Sequence, residues 1–207
     1  MTAGPHRYTV TDSDVVYRGK VVDVRRDVVA MPGGGTSQRD VVVHPGAVGV
    51  VALDDTGRVM LLRQYRHPVG AALWELPAGI LDVPDEPASR AAARELAEEV
   101  GLTARRWDLL VDVYTSPGMT DEAIRVYLAR DLVAVPDDER HVGVDEEADL
   151  ELAWVGLDDA VTRVLAGGIG NAMAVIGLLA AAAARDRGFA PLRPVASPWP
   201  ARPHHGG

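Results

Sequence analysis

Glu95, Glu98 and Glu99 carry the strongest chemical signal in the sequence. At about 100° per residue, the three fall within roughly 100° of one another on one face of a helix. Ala93, Leu96, Ala97 and Val100 make the apolar face opposite. Like charges at these spacings repel, and Arg94, four residues before Glu98, relieves only part of that repulsion. Such a face is either solvated, as charged clusters usually are, or a seat for a hard divalent cation. Mg²⁺ binds carboxylate oxygens and keeps its remaining positions for water and phosphate oxygens. The small Ala91, on the same face, leaves room above the carboxylates. The context favours the cation. Gly79, Glu86, Arg94, Glu95, Glu98, Glu99 and Gly101 fix seven positions, a chance coincidence on the order of 10⁻⁶ at ordinary residue usage.

The helix that must carry these glutamates is expected to have Pro87 in its first turn, behind an acidic cap at Asp85 or Glu86. It should run through Val100 and stop at Gly101, a left-handed terminal glycine. Ahead of it, Val15–Tyr17, Val21–Val24 and Asp40–His44 are β-branched runs separated by Gly19 and by the Pro32-Gly33-Gly34-Gly35 turn, the pattern of a small antiparallel sheet. A more continuous apolar run, Gly46–Leu53, turns at Asp54-Asp55-Thr56-Gly57 and returns through Val59–Gln64 as a hairpin would. Further strands are expected over Asp108–Tyr114, Ile124–Ala129 and Leu150–Val155, with helices starting near Leu157 and Asn171. The expected organisation is an N-terminal β-sheet domain over 1–46, a main domain over 47–188 and a proline-rich extended tail over 189–207. A strand module as small as the first is marginal alone. Its apolar surface should pack on the main domain or on a second copy, so a homodimer is expected.

Composition sets the outer limits. With 207 residues, 47% hydrophobic and 25% charged, the chain has the proportions of an ordinary globular protein. It contains no cysteine, which excludes disulfides, thiolate metal sites and cysteine nucleophiles. A net charge of −9 argues against a nucleic-acid partner. The longest apolar run, Ala172–Ala184, has 13 residues, short of the roughly 20 that span a membrane. The first residues lack the apolar core of a signal peptide, so a cytoplasmic protein without membrane association is expected. Lys20 is the one lysine among 21 basic residues. Arginine suits fixed, bidentate anion contacts, although a plain compositional bias would give the same count. No G-x-x-x-x-G-K-[ST] loop or G-x-S-x-G elbow is present, which removes P-loop and serine-hydrolase chemistry.

At Gly79, Glu86 and Arg94-Glu95-Leu96-Ala97-Glu98-Glu99-Val100-Gly101-Leu102 the chain resembles the Nudix hydrolases. Their signature is G, five residues, E, seven residues, then R-E-U-x-E-E-x-G-U, with U a bulky aliphatic. Six residues, not five, separate Gly79 from Glu86 here, an insertion around Pro84; the seven-residue spacing to Arg94 is kept. The resemblance covers about residues 47–165. It implies an α/β fold, a Nudix-type α/β/α sandwich on a mixed sheet preceded by the small antiparallel sheet, and cleavage of a nucleoside diphosphate derivative. Pro117, 15 residues beyond Leu102, together with Gln64-Tyr65-Arg66, Leu73–Gly79 and the leader ending in Arg39–His44, is most similar to the ADP-ribose pyrophosphatase subfamily. That subfamily's chemistry would convert ADP-ribose and water to AMP and ribose 5-phosphate.

The same resemblance implies roles for individual residues. Glu95 and Glu99 match metal-ligand positions and the Ala78 carbonyl a backbone ligand, with Glu98 a further ligand. Two or three Mg²⁺ ions are implied, with Mn²⁺ able to substitute; clustered ions can hold nucleophile and leaving oxygen together. Glu86 and Arg94 would orient the glutamates. The general base is expected in the acidic run 145–149, at Glu147 or else Glu146; a solvated acidic loop is the plainer alternative. Arg66 and Arg39 would grip the diphosphate or ribose, Arg39 from the partner subunit, since bidentate arginine suits both tasks. Glu75 and Glu122 would accept hydrogen bonds from adenine or the terminal ribose, and Gly118 and Met119 complete the substrate set. Trp74 is expected in the core, and His44 and His67, with no carboxylate or histidine at ligand spacing in the sequence, as satisfied structural histidines. Two rivals stand beside this reading: the same chemistry on a nucleotide sugar, NADH or a diadenosine polyphosphate, and a nucleotide-sensing regulator that kept the pocket without the reaction.

Overall fold

The computed structural model describes residues 8–136, 138 and 150–202. The leader forms three antiparallel strands, β1 (Val10–Arg18), β2 (Asp23–Ala30) and β3 (Thr36–Val43). Its second turn contains Gly34 and Gly35, both at positive φ, which is what glycine supplies there. The cross-strand pair Arg26–Asp40 is tied by a 2.8 Å ion pair. Val21 and Val22 sit in the β1–β2 turn rather than in a strand, and β2 instead continues through Val28 and Val29 to Ala30.

The body contains β4 (Ala47–Ala52), β5 (Arg58–Arg66), β6 (Ala71–Glu75), β7 (Ala78–Ile80), α1 (Ala88–Val100), β8 (Leu102–Tyr114), β9 (Ala123–Ala134), β10 (Glu151–Gly156), α2 (Leu157–Leu165), α3 (Ala172–Arg185) and β11 (Arg193–Pro194). The main sheet has the order β11-β8-β9-β4-β7, parallel only at β4–β9; β10-β5-β6 form a second, antiparallel sheet. Alternation along β9 explains the layering. Ile124, Val126 and Leu128 face the cluster containing Ala174, Leu178 and Ala181 of α3. Tyr127 and Ala129 face the cluster containing Ala91, Ala92 and Leu96 of α1. Helices thus cover both faces, the expected α/β/α sandwich. Gly177 lets α3 approach, since a Cβ there would meet Leu76 at 2.6 Å and Val51 at 3.2 Å.

Two more sequence expectations are corrected. The Asp54–Gly57 turn exists, but β4 and β5 do not form a hairpin ladder; beyond the single Leu53↔Val59 bridge they enter different sheets. The reason is that β4 is buried throughout and pairs with β9 and β7 instead. The cap of α1 is Pro87, with no side-chain hydrogen bond, because Glu86 is taken by Arg94 and Asp85 adopts a positive φ. The extended tail is docked: β11 pairs with Leu109 and Asp108 of β8, and Val195 and Trp199 pack on the α1-side core. Asn171 caps α3 by accepting from the Ala174 N–H at 3.0 Å, where the sequence places that helix start.

The β4–β5 turn carries the first expected outcome. Asp54 accepts from the Thr56 N–H, the Thr56 hydroxyl, the Arg58 N–H and the Arg58 guanidinium, at 2.8–3.0 Å. Burial alone would raise its carboxyl, but the hydrogen bonds from Arg58 and Thr56 win and hold it below the usual range. Asp54→Ala is expected to cost about 2 kcal/mol in urea unfolding at pH 7. Because the folded-state value is the lower one, the contribution is complete above about pH 4 and lost as pH falls through the folded value. The gap between wild type and variant should therefore close in acid.

Candidate active site

Helix α1 ends at Gly101, whose φ of 63° and N–H bonds to the Leu96 and Ala97 carbonyls close the last turn as the sequence requires. Ala91, Ala92, Leu96 and Val100 are its buried side, so the face bearing Glu95, Glu98 and Glu99 is oriented by packing on the sheet. Short β7 passes alongside it. The Ala78 N–H donates to Glu99 Oε2 at 2.8 Å. One residue on, a Cβ at Gly79 would collide with the Glu95 carboxylate. Both contacts bring α1 carboxylates onto the Ala78-Gly79 backbone, and the second explains why glycine stands at 79.

Arg94 organises the rest. Its guanidinium bonds Glu86 at 3.2 and 3.3 Å, Glu95 at 2.7 Å and Glu98 at 2.9 Å. The Glu86 hydrogen bonds, with the charge of Glu95 and a hydrogen bond to Glu98 added, outweigh burial and push Arg94 further up. It is a fixed cation. Among the described residues no three acidic or histidine side chains converge on one point at metal-ligand distance, and Arg94 holds Glu95 and Glu98. The donor chemistry fits a hard cation even so: Glu95, Glu98, Glu99 and the Ala78 carbonyl are all oxygen ligands.

A second group of expected residues meets in a cleft of about 550 Å³, where Arg39 lies with Tyr114, Gly118 and Met119. The 116–121 turn is fastened to β3: the Val42 N–H donates to the Met119 carbonyl at 2.8 Å and the Asp121 N–H to the Val42 carbonyl at 3.2 Å. Arg39 donates to the Gln38 carbonyl at 2.8 Å and to the Ser37 hydroxyl. Within one chain, then, Arg39 already shares a cleft with Gly118 and Met119. Register places this cleft at the same end of the main sheet as the exit of β7, because Ala47 pairs with both Ile80 and Ile124.

Arg66 and Glu75 face each other. Glu75 is 3% exposed and accepts from Arg66 Nε at 3.0 Å and Nη2 at 2.7 Å. A buried carboxylate is costly unless paired this way. The pair sits three residues before Ala78. Glu122 accepts from the Thr115 hydroxyl at 2.6 Å. His44 has two carboxylates nearby: its backbone N–H donates to Asp121 at 2.9 Å, and its ring lies 3.7 Å from Glu122. Nδ1 accepts the Gly46 N–H at 3.0 Å. Trp74 packs against the core, partly buried. Glu146 and Glu147 lie outside the described residues.

Asp121 and Tyr114 were missed by sequence reasoning. Asp121 meets His44 across 77 positions, and no local spacing announces such a contact.

The NUDIX domain profile matches residues 43–174 of the chain. The chain belongs to the Nudix family. Nudix hydrolases generally need divalent metal ions, consistent with the oxygen donors on α1. The ADP-ribose pyrophosphatase of Mycobacterium tuberculosis is 48% identical over 198 residues, covering 96% of this chain and 94% of that protein. The ADP-ribose pyrophosphatase of Bacillus subtilis is 40% identical over 149 residues, covering 72% and 78%. A crystal structure of an ADP compounds hydrolase superposes with a TM-score of 0.75 at 21% identity, covering 90% of this chain and 99% of that one; this Nudix chain shares its fold. No helix among the described residues is long and apolar enough to cross a membrane.

Proposed function

We propose that this Nudix protein hydrolyses the diphosphate of ADP-ribose to AMP and ribose 5-phosphate. The observation that carries the reading is the convergence of α1 carboxylates on Ala78-Gly79, in a chain nearly half identical to an ADP-ribose pyrophosphatase along its length. Glu95, Glu98, Glu99 and the Ala78 carbonyl would hold two or three Mg²⁺, with Mn²⁺ able to substitute. When bound, such ions neutralise the diphosphate and ease deprotonation of the attacking water near neutral pH. Glu86 and Arg94 orient the glutamates. Arg66, braced by Glu75, and Arg39 hold substrate anions, and Gly118, Met119 and Glu122 shape the ribose and base end. Glu147, or else Glu146, takes the proton of the water.

The leader, 1–46, serves as a dimerising module and supplies Arg39 to the partner's site. The exposed Val10, Val15, Val16 and Tyr17 of β1 support that assignment. Main domain 47–188 carries the reaction, and the protein works in the cytoplasm on a small nucleotide, without nucleic acid. Light scattering should then give twice the 22.0 kDa chain mass.

The deciding experiment incubates purified protein and Mg²⁺ with ADP-ribose, a nucleotide sugar, NADH and a diadenosine polyphosphate, quantifying products. AMP and ribose 5-phosphate appearing fastest from ADP-ribose supports the reading. Faster turnover of another compound reassigns the substrate. Binding of ADP-ribose with every compound inert makes the protein a sensor.

A further inference from the structure

Arg125 is 3% exposed, yet no step above uses it. On β9 it pairs with Asp112 of β8 on one side and Val48 of β4 on the other, and Val48 pairs with Gly79 of β7. These four residues form one row across the main sheet, and paired residues point to the same face. On that face the space above Gly79 is filled by the Glu95 carboxylate. Two strand spacings of about 4.8 Å separate Arg125 from Gly79, so the guanidinium is rooted roughly 10 Å from the metal face of α1. Helix α1 covers the Val48–Gly79 end of the row. The C-terminal segment covers the other end.

The guanidinium is what fastens that segment. Nε and Nη2 donate to Asp112 at 2.7 and 3.0 Å; Nη1 donates to the Ser197 carbonyl at 2.8 Å and Nη2 to the Pro198 carbonyl at 3.0 Å. Its Cζ lies 4.8 Å from the centre of the Trp199 ring, and Arg193 also donates to Asp112 at 3.0 Å. Trp199 and Val195 pack on the same core cluster as Ala91, Ala92 and Leu96 of α1. A buried ion pair adds little stability that well-packed apolar side chains would not supply. What this one adds is placement, because two backbone carbonyls fix which residues of the tail lie on the core that α1 also packs on.

We infer that Arg125 and Trp199 are positioning residues: the C-terminal segment is a strap that walls in α1 and keeps its carboxylates over Ala78 and Gly79. The inference rests on α1 being the metal helix. Outer-shell partners of metal ligands are worth about 10–100-fold in affinity, and one further step out should give about 3–10-fold.

The test is Mn²⁺ binding to the full-length protein without substrate, read from the electron paramagnetic resonance signal of free Mn²⁺, at a temperature where circular dichroism shows every variant folded. Trp199→Ala is expected to bind Mn²⁺ about 3–10-fold more weakly, with KM for ADP-ribose within about twofold and kcat recovered at saturating metal. Trp199→Phe, which keeps a ring under Arg125, should restore wild-type affinity. Should alanine prevent folding, Trp199→Leu carries the same comparison. A lower melting temperature with unchanged Mn²⁺ affinity overturns the inference and leaves the strap a purely structural element; equal weakening by phenylalanine overturns the role of the stacked ring. Failure of the underlying reading looks different: wild type would bind no Mn²⁺, or Glu99→Gln would bind it as well as wild type.

Discussion

Glu99→Gln is expected to lower Mg²⁺-dependent AMP release on the order of 10³-fold, about 4 kcal/mol of barrier. The substitution separates charge from geometry. Glu99 Oε2 accepts the Ala78 N–H at 2.8 Å, and the carbonyl oxygen of glutamine can accept the same bond, so the seam between α1 and β7 survives. What disappears is one anionic oxygen donor for a hard cation, which neutral amides replace poorly. Product quantification at saturating Mg²⁺, beside a thermal melt, checks both halves. A loss below tenfold with an unchanged melt would remove Glu99 from the metal set. A collapsed melt would instead mean that its charge supports the fold.

That experiment is possible because the helix bearing Glu99 is legible in the sequence itself. The glutamate spacing, Leu96 and Gly101 each constrain α1 locally, and the packed helix meets all three. The strands were legible as runs but not as partners. Val48 gives no local sign that it will lie between Gly79 and Arg125, and the same lack of sign made β4 and β5 look like a hairpin. Glu86 was open to two readings, helix cap or partner for Arg94, which propensity cannot rank. In the folded chain it takes Arg94, because a guanidinium offers two charge-assisted bonds where a cap offers a neutral N–H. The tail was read from its five prolines as an extended segment. Its docking depends on Arg125, 72 and 73 positions from the carbonyls it holds. That distance lies beyond any periodicity argument.

Arg94 also decides how the carboxylates of α1 are shared. Arg94 spans Glu86, Glu95 and Glu98, and so offsets the repulsion that the sequence predicts between carboxylates one turn apart. A divalent cation held by Glu95 and Glu98 would share both with Arg94 and would leave Glu86 to the arginine alone. The two Glu86 bonds would then keep the guanidinium in place, which gives the loop residue Glu86 a reason to be at its fixed distance from the helix.

Gly79→Ala is expected to reduce activity by about 10²-fold, the scale of a catalytic group misplaced by an ångström, while the fold stays nearly intact. The new Cβ would point into the Glu95 carboxylate. The obstructing atoms are the end of a flexible side chain rather than backbone, so Glu95 can swing aside without moving α1, whose seat depends on Ala91, Ala92, Leu96 and Val100. Swinging aside takes Glu95 from its proposed ligand position and from its 2.7 Å contact with Arg94; Arg94 retains Glu86 and Glu98. Stability should change by less than about 1 kcal/mol, a shift of about 2–4 °C in Tm for a chain this size. Gly33→Ala serves as the comparison, since a Cβ in that β2–β3 turn meets nothing within 4 Å, and it should match wild type in both measurements. If Gly79→Ala instead lost stability while each folded molecule turned over normally, the contact at residue 79 would be packing alone, and Glu95 would not owe its position to the missing side chain.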